Sequence, residues 1–267
     1  MSHHVLLLGG HGKIAQLLTP LLLHRNWTVT SVIRSQEQVP AIQALAPDES
    51  AKKRLHVLVH SLEDLVQSSA AASALLDQVR ADYVVWSAGA GGKGGPERTL
   101  AIDRDAASHL AQAAAAPQSP VTRFVLVSYL GSRRTQPSWW DAEQWAAAQH
   151  VNSKILPTYY EAKLAADEVL YKAVKTTAKK DFVGIDLRPG SLTDSQEGTV
   201  ELGKTTNSRG AVSRATVARI TDLLLAHANP KSAWIDLLDG SEDAQAAVDR
   251  VVAEGVDAVE GEPVVKE

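Results

Sequence analysis

Short apolar runs alternate with stretches of helical periodicity along almost the whole chain. The runs are Val5–Leu8, Thr28–Ile33, Leu55–Val59, Tyr83–Trp86, Phe124–Val127, Val183–Leu187 and Trp234–Leu237. They are brief, continuous and often β-branched, the pattern of strands buried on both faces. Between them lie the helical patterns Ile14–Leu23, Ala70–Val79, Arg98–Ala116, Tyr160–Lys175 and Thr216–Ala226. This alternation predicts an α/β fold, a doubly wound parallel sheet with helices on both faces and right-handed crossovers. Two segments interrupt it: Gly131–Thr158, rich in Trp, and Thr193–Ser213, polar and glycine-containing. Both follow strand C-termini, where open α/β sheets bind ligands.

The first strand runs into Gly9-Gly10-His11-Gly12, and a helical pattern starts at Lys13. A helix N-terminus behind a glycine turn offers free N–H groups and partial positive charge, which suits a pyrophosphate. Gly9 allows the tight turn, Gly12 lets backbone approach phosphate, and Ala15 stands where a third glycine is usual. Gly10, His11, Lys13 and Ile14 complete the candidate phosphate site, His11 shaping the backbone or lying beside phosphate. The reading sharpens to a Rossmann-like sheet holding a dinucleotide. An ordinary βα turn that binds nothing is the competing interpretation.

Length and charge set the frame around this site. The 267 residues are enough for one sizeable core, with 45% hydrophobic and 22% charged positions. One Rossmann-like domain is expected over residues 1–240, with substrate-side loops at 131–158 and 193–213 and a small C-terminal substrate-side portion. Residues 241–267 hold eight acids and two bases, −6 in a chain of −4, leaving +2 on the rest. This acidic tail is expected to be solvated or frayed, helical in part around Ala244–Val252. The body has no dense basic stripe, so no nucleic-acid partner is expected. Without cysteine there is no thiolate metal site or disulfide framework, and no metal is expected. No apolar run approaches the roughly 18 residues of a membrane span, and glycines cut short the apolar start. A soluble, cytoplasmic protein without a membrane partner is the expectation; the pattern does not specify an oligomeric state.

An ordered set of motifs runs through the chain: GGHGKIA at Gly9–Ala15, VIRS at Val32–Ser35, SAGAGGKGG at Ser87–Gly95 and FVLVS at Phe124–Ser128. YYEAKLAAD at Tyr159–Asp167, LRPGSLTD at Leu187–Asp194 and SRATVA at Ser213–Ala218 follow. With these, over about residues 5–240, the chain resembles an atypical short-chain dehydrogenase/reductase, of the NAD(P)H-binding subgroup related to NmrA-like regulators and flavin/biliverdin reductases.

The second strand ends in Arg34-Ser35, where NAD sites usually carry an acid for the ribose 2′-hydroxyl. A guanidinium can grip a 2′-phosphate bidentately and Ser35 can add a hydroxyl, so NADP(H) is expected over NAD(H). The resemblance implies the same choice, while Arg34 as a solvated loop residue is the plainer alternative. At the end of the third strand Ser61 stands where relatives commonly have an aspartate touching adenine, and Leu62 is expected to pack on the base. Ala88 and Gly89 let the cofactor pass close to backbone. Lys93 reads equally as an anion contact and as a solvated lysine.

Reduction in the resembled family needs a phenol to move the carbonyl proton and an ammonium beside it. Tyr159 and Lys163, at i and i+4, share a helix face. The resemblance implies that Lys163 also bonds the nicotinamide ribose. Tyr160 competes with Tyr159 for the cleft. Ser128 closes the fifth strand as the candidate carbonyl-orienting or nicotinamide-contacting hydroxyl. Active relatives carry that hydroxyl about two residues later, where this chain has Leu130; Ser132 is nearby. Arg188-Pro189-Gly190 matches the family's closing turn over the nicotinamide, Pro189 fixing the backbone, and Leu192 and Thr193 follow. Trp139, Trp140 and Trp145 form either an apolar lid for a ring substrate or a small core beneath their loop. Asp103 and His109 read as ordinary helix residues. The expected function is an NADP(H)-dependent oxidoreductase acting on a small carbonyl or ring compound. The alternatives are a cofactor-binding regulator without turnover and an epimerase or dehydratase.

Overall fold

The computed structural model describes residues 2–91 and 94–267; Lys93 lies outside the described residues. The strands are β1 (His4–Leu8), β2 (Thr28–Ile33), β3 (Leu55–Val59), β4 (Tyr83–Trp86), β5 (Arg123–Val127) and β6 (Val183–Pro189). They continue with β7 (Ser191–Thr193), β8 (Val200–Gly203), β9 (Ala211–Ser213) and β10 (Ala233–Asp239). Eight strands build the main sheet in the order β3-β2-β1-β4-β5-β6-β10-β8, with β7 and β9 paired apart from it. Every neighbouring pair in the main sheet is parallel except the edge pair β10 and β8. The fold is Rossmann-like, with one antiparallel edge strand drawn from the polar 193–213 segment.

Alternation along the strands feeds two cores. Val5 and Leu7 of β1 face one layer, while Leu6 and Leu8 face the other. The first layer is covered by the Lys13–His24, Arg214–Ala226 and Ala244–Glu254 helices. Across the sheet, the Ser69–Val79 helix, a long helix over 95–115 and the Pro157–Thr176 helix cover the second. The helix over 95–115 is not uniform: Leu100–Ala106 is a π turn between two α segments. Such wide turns displace the side chains they carry and recur at functional sites. Here one of those side chains is Asp103.

The frayed tail expected at 241–267 is corrected by the structure. Asp243 caps the Ala244–Glu254 helix, whose Ala247, Val248, Val251 and Val252 are buried in the first core. Beyond it Ala258, Val259 and Val264 pack with Trp234 and Leu164. The buried Glu262 carboxylate accepts from the backbone N–H groups of Arg134 (2.9 Å) and Thr135 (3.3 Å). The segment is amphipathic, with Glu254, Glu260 and Glu267 on its exposed side and an apolar side that closes the fold.

The Gly131–Thr158 connection is likewise ordered. It holds the Ala142–His150 helix and a π turn at Val151–Ile155. Its start is pinned by Arg133, which is fully buried. The guanidinium pairs with Asp236 of β10 at 2.7 Å and donates to the Ala258 carbonyl at 2.7 Å. Arg188 of β6 reaches the same Asp236 at 3.3 Å and donates to the Ser132 carbonyl at 2.8 Å. Trp139 and Trp140 lie over Arg133, their ring centroids 5.0 and 5.2 Å from it. One carboxylate thus joins two strands, the Trp loop and the C-terminal segment.

Removing one member of a buried ion pair leaves an uncompensated charge and costs about 3–5 kcal/mol. Asp236→Asn is therefore expected to lower unfolding stability by that amount in urea titrations. The paired change Arg133→Met with Asp236→Leu should recover part of the loss. A loss below about 1 kcal/mol for Asp236→Asn would contradict this account of the network.

Candidate functional site

The strand order reverses between β1 and β4, and a crevice opens there at the strands' C-terminal ends. Two adjoining cavities of about 690 and 290 Å³ share the wall Ser87–Gly91, which follows β4. One cavity lies toward the ends of β2 and β3, the other toward β5 and the Pro157–Thr176 helix.

The glycine turn forms the floor between them. Gly9 has φ +79°, and a Cβ there would sit 2.7 Å from Ala88 Cα, so both conformation and the close passage of β4 require glycine. Gly10 donates its N–H to the Val32 carbonyl at 2.8 Å and ties the turn to β2. Gly12 caps the Lys13–His24 helix without a side chain, leaving first-turn N–H groups for a ligand. Gly9, His11 and Gly12 line the smaller cavity and Ile14 the larger.

The smaller cavity collects Arg34, Ser61, Leu62, Ala88 and Gly89. Ser61 is occupied as a cap, its Oγ accepting from the Glu63 N–H at 3.2 Å. Further residues enter that no sequence signal marked as site residues, among them Gln38, His60 and Arg98. Arg98 pairs with Glu63 at 3.2 Å. The His60 Nε2 is buried in the wall with no hydrogen-bond partner among the described residues. An unsatisfied nitrogen beside a bare helix N-terminus and an exposed guanidinium fits a polar, anionic ligand such as a dinucleotide. Ser35 turns aside and donates to Glu37 at 2.9 Å. Lys13 reaches across to Asp194 at 2.6 Å, and Arg214 holds the other oxygen of that carboxylate at 2.7 Å. Neither Ser35 nor Lys13 lines a cavity.

Tyr159, Lys163 and Ser128 meet in the larger cavity, with Leu192. Lys163 is buried (3% exposed) and donates to the Val127 carbonyl at 3.1 Å. Its ammonium lies 5.6 Å from the Tyr159 ring centroid and 3.1 Å from Asp103, itself 1% exposed. The other oxygen of Asp103 accepts the Ala90 N–H at 2.9 Å. Asp103, read from sequence as an ordinary helix residue, is thus a member of the site. Nothing in the sequence set it apart, since Arg104, Asp105 and His109 stand close to it in the same helical pattern. Burial pushes the Tyr159 phenol above its ordinary range; Lys163 pulls it down and Asp103 opposes Lys163. Burial disfavours the Lys163 ammonium, but Tyr159 and Asp103 outweigh it and hold the lysine charged. The Ser128 Oγ is buried beside the Asp167 carboxylate, whose charged form it favours.

The remaining candidates stand elsewhere. Tyr160 donates to the Arg133 carbonyl at 3.0 Å, away from the cleft. Ser132 donates to Asp167 at 2.6 Å behind the cavity wall. Burial raises that carboxyl to about 6, against the pull of Arg188. Leu130 packs with Trp140, Ala148 and Leu238. Pro189 accepts the Leu130 N–H at 3.0 Å and does not line a cavity. Of the two readings of Trp139, Trp140 and Trp145, lid or small core, the structure shows the core, in which Trp140 donates to the Thr205 carbonyl at 2.8 Å. Among the described residues no group of side chains has the make-up of a metal site, and no helix is long and apolar enough to cross a membrane.

Residues 9–228 match the NAD(P)H-binding family. The chain belongs to that family. It is similar to a UPF0659 protein of Schizosaccharomyces pombe, with 31% identity over 252 residues, 92% of this chain and 94% of the relative. A Bacillus subtilis protein named as an uncharacterized sugar epimerase, YhfK, is 28% identical over 238 residues, 88% of this chain and 94% of its own. A solved structure of a candidate NAD-dependent epimerase/dehydratase from Bacillus halodurans shares the fold with a TM-score of 0.71 at 22% identity, covering 93% of this chain and all of that one. Among relatives and structural neighbours are proteins named as reductases and epimerases.

A Cβ on Gly12 would lie 3.0 Å from the Gly9 carbonyl oxygen and begin to fill the floor of the crevice. Gly12→Val is expected to abolish dinucleotide binding in calorimetric titration while circular dichroism stays unchanged. Retained binding would move the phosphate site elsewhere.

Proposed function

We propose that this member of the family is an NADP(H)-dependent reductase of a small carbonyl or ring compound. The observation that carries this reading is the buried Asp103–Lys163 pair beneath Tyr159. A lone ammonium would stabilise the phenolate and favour a base. Asp103 neutralises much of that field, and burial keeps the phenol protonated. A protonated phenol in a dry cleft donates, which suits reduction. When bound, the reduced dinucleotide supplies a hydride, hence both electrons of the new C–H bond, and is left oxidised, while Tyr159 supplies the proton of the new O–H. Ser128 offers a second donor to the carbonyl oxygen, and Lys163 holds Tyr159 in place from one helical turn away. Arg34 supports NADP(H) over NAD(H) as an exposed cation lining the smaller cavity, where Ser61 and Leu62 also lie and take the adenine end.

The epimerase alternative draws on the Bacillus subtilis relative's name. Redox epimerisation starts by removing a hydroxyl proton, a task for phenolate, which Asp103 opposes. The sensor alternative draws on Leu130, which offers no hydroxyl at the position where active relatives carry one.

Loss of a charge-assisted phosphate contact costs about 1.5–3 kcal/mol, ten- to a hundredfold in affinity. Arg34→Ala is expected to weaken NADPH binding by that factor and leave NADH binding nearly unchanged; equal effects on both would refute the preference. For catalysis, activity should fall as pH rises through the Tyr159 pKa, because the proton donor is lost. With that pKa above its ordinary value of about 10, the wild-type fall lies in the alkaline range. Asp103→Asn unmasks the lysine charge and should bring the fall to lower pH. Tyr159→Phe should remove most turnover at unchanged NADPH affinity. A pH profile unmoved by Asp103→Asn would show that the pair does not set the phenol's state.

A further inference from the structure

We infer that the substrate of the larger cavity is an uncharged, mainly apolar carbonyl compound that enters past Ile155 and Leu156. This rests on the reductase reading above and names its substrate class. Around the reacting groups the wall is aliphatic: Ile14, Pro96, Val127, Pro157 and Leu192. At the rim Ile155 is 60% and Leu156 40% exposed, among the few large apolar side chains left to solvent. Their backbone is fixed, since Leu156 closes the π turn by donating to the Val151 carbonyl at 2.8 Å and stands as N-cap of the Pro157–Thr176 helix. A rigid, exposed apolar pair at a cavity mouth is the feature expected where an apolar molecule is handed from water to protein.

Charge points the same way. Among the described lining residues the charged side chains are Lys163 and Asp103, and they pair with each other. Among the described lining residues an incoming carboxylate or phosphate would meet no free cation in return for its lost hydration, and would face Asp103. The hydroxyls among the described lining residues are those of Ser87, Thr99, Ser128, Thr158 and Tyr159, none of them charged, and the Tyr159 and Ser128 pair beside Lys163 suffices for one carbonyl oxygen. A nucleotide sugar, with many hydroxyls and a diphosphate, needs a far denser set of partners.

The test compares naphthaldehyde, a naphthaldehyde carrying a carboxylate, and UDP-glucose, each titrated by calorimetry into the protein saturated with NADP⁺. The neutral aldehyde is expected to bind about tenfold or more tighter than the other two. Ile155→Asp should weaken it about tenfold at unchanged NADP⁺ affinity, and Ile155→Leu should retain it. Equal or tighter binding of the carboxylated aldehyde or of UDP-glucose overturns the inference, as does absence of binding by the neutral aldehyde. Indifference to Ile155→Asp does so too. Oxidation of NADPH is read separately. Binding of the aldehyde without oxidation refutes the reductase reading alone, while oxidation confined to charged carbonyls refutes the substrate class alone.

Discussion

The Asp236 carboxylate, buried between two guanidiniums, is the constraint on which the substrate side of this molecule depends. Arg133 and Arg188 converge on it from the Trp loop and from β6, Arg133 Nη1 donating to the Ala258 carbonyl and Arg188 Nη2 to the Leu130 and Ser132 carbonyls. Two cations against one anion leave an excess that the neighbourhood must meet. Trp139, Trp140 and Trp234 supply ring faces to the guanidiniums, and Asp167 lies close enough for Arg188 to oppose its rise in pKa. Because burial makes each unpaired member costly, the network has one satisfactory geometry. That geometry sets where the 131–158 segment leaves β5, and therefore where the Pro157–Thr176 helix begins.

The crevice uses charge in two different ways. Toward β2 and β3 it presents, among the described residues, exposed or unpartnered donors, Arg34 and His60, with a bare helix N-terminus. Toward β5 it presents a closed ion pair in an apolar wall. The first arrangement attracts an anion from solution; the second offers only a short-range electrostatic environment to whatever sits against it. A molecule lying across the shared Ser87–Gly91 wall is thus anchored at one end and acted on at the other.

Much of this architecture was legible in the residue pattern. Strands buried on both faces have no polar side to blur them, so β2 and β4 begin and end where their apolar runs do; the edge strand β3 matches its run too, although His56 and Val59 are exposed. The glycine turn was legible because helix start and strand end coincide there. The tail was misread because eight acids overshadow the Ala247, Val248, Val251, Val252 stripe, which counts only once a surface exists to receive it. Trp140 could not be assigned from sequence, since loop aromatics serve a lid and a core equally until Arg133 is seen beneath them. Asp103 was missed for a different reason. In a regular helix its face follows from counting residues, and here the count fails.

That failure has a consequence for how length variation acts on this fold. Each residue of an α-helix advances about 100°, and the π turn at Leu100–Ala106 puts the segments on either side out of phase. Ala107–Ala115 can therefore keep its small residues against the sheet while Asp103 faces Lys163. A one-codon deletion in this stretch would keep the helix and its core-facing alanines, yet swing the carboxylate away from the ammonium. In a loop the same deletion alters reach; in this helix it alters the acidity of a phenol.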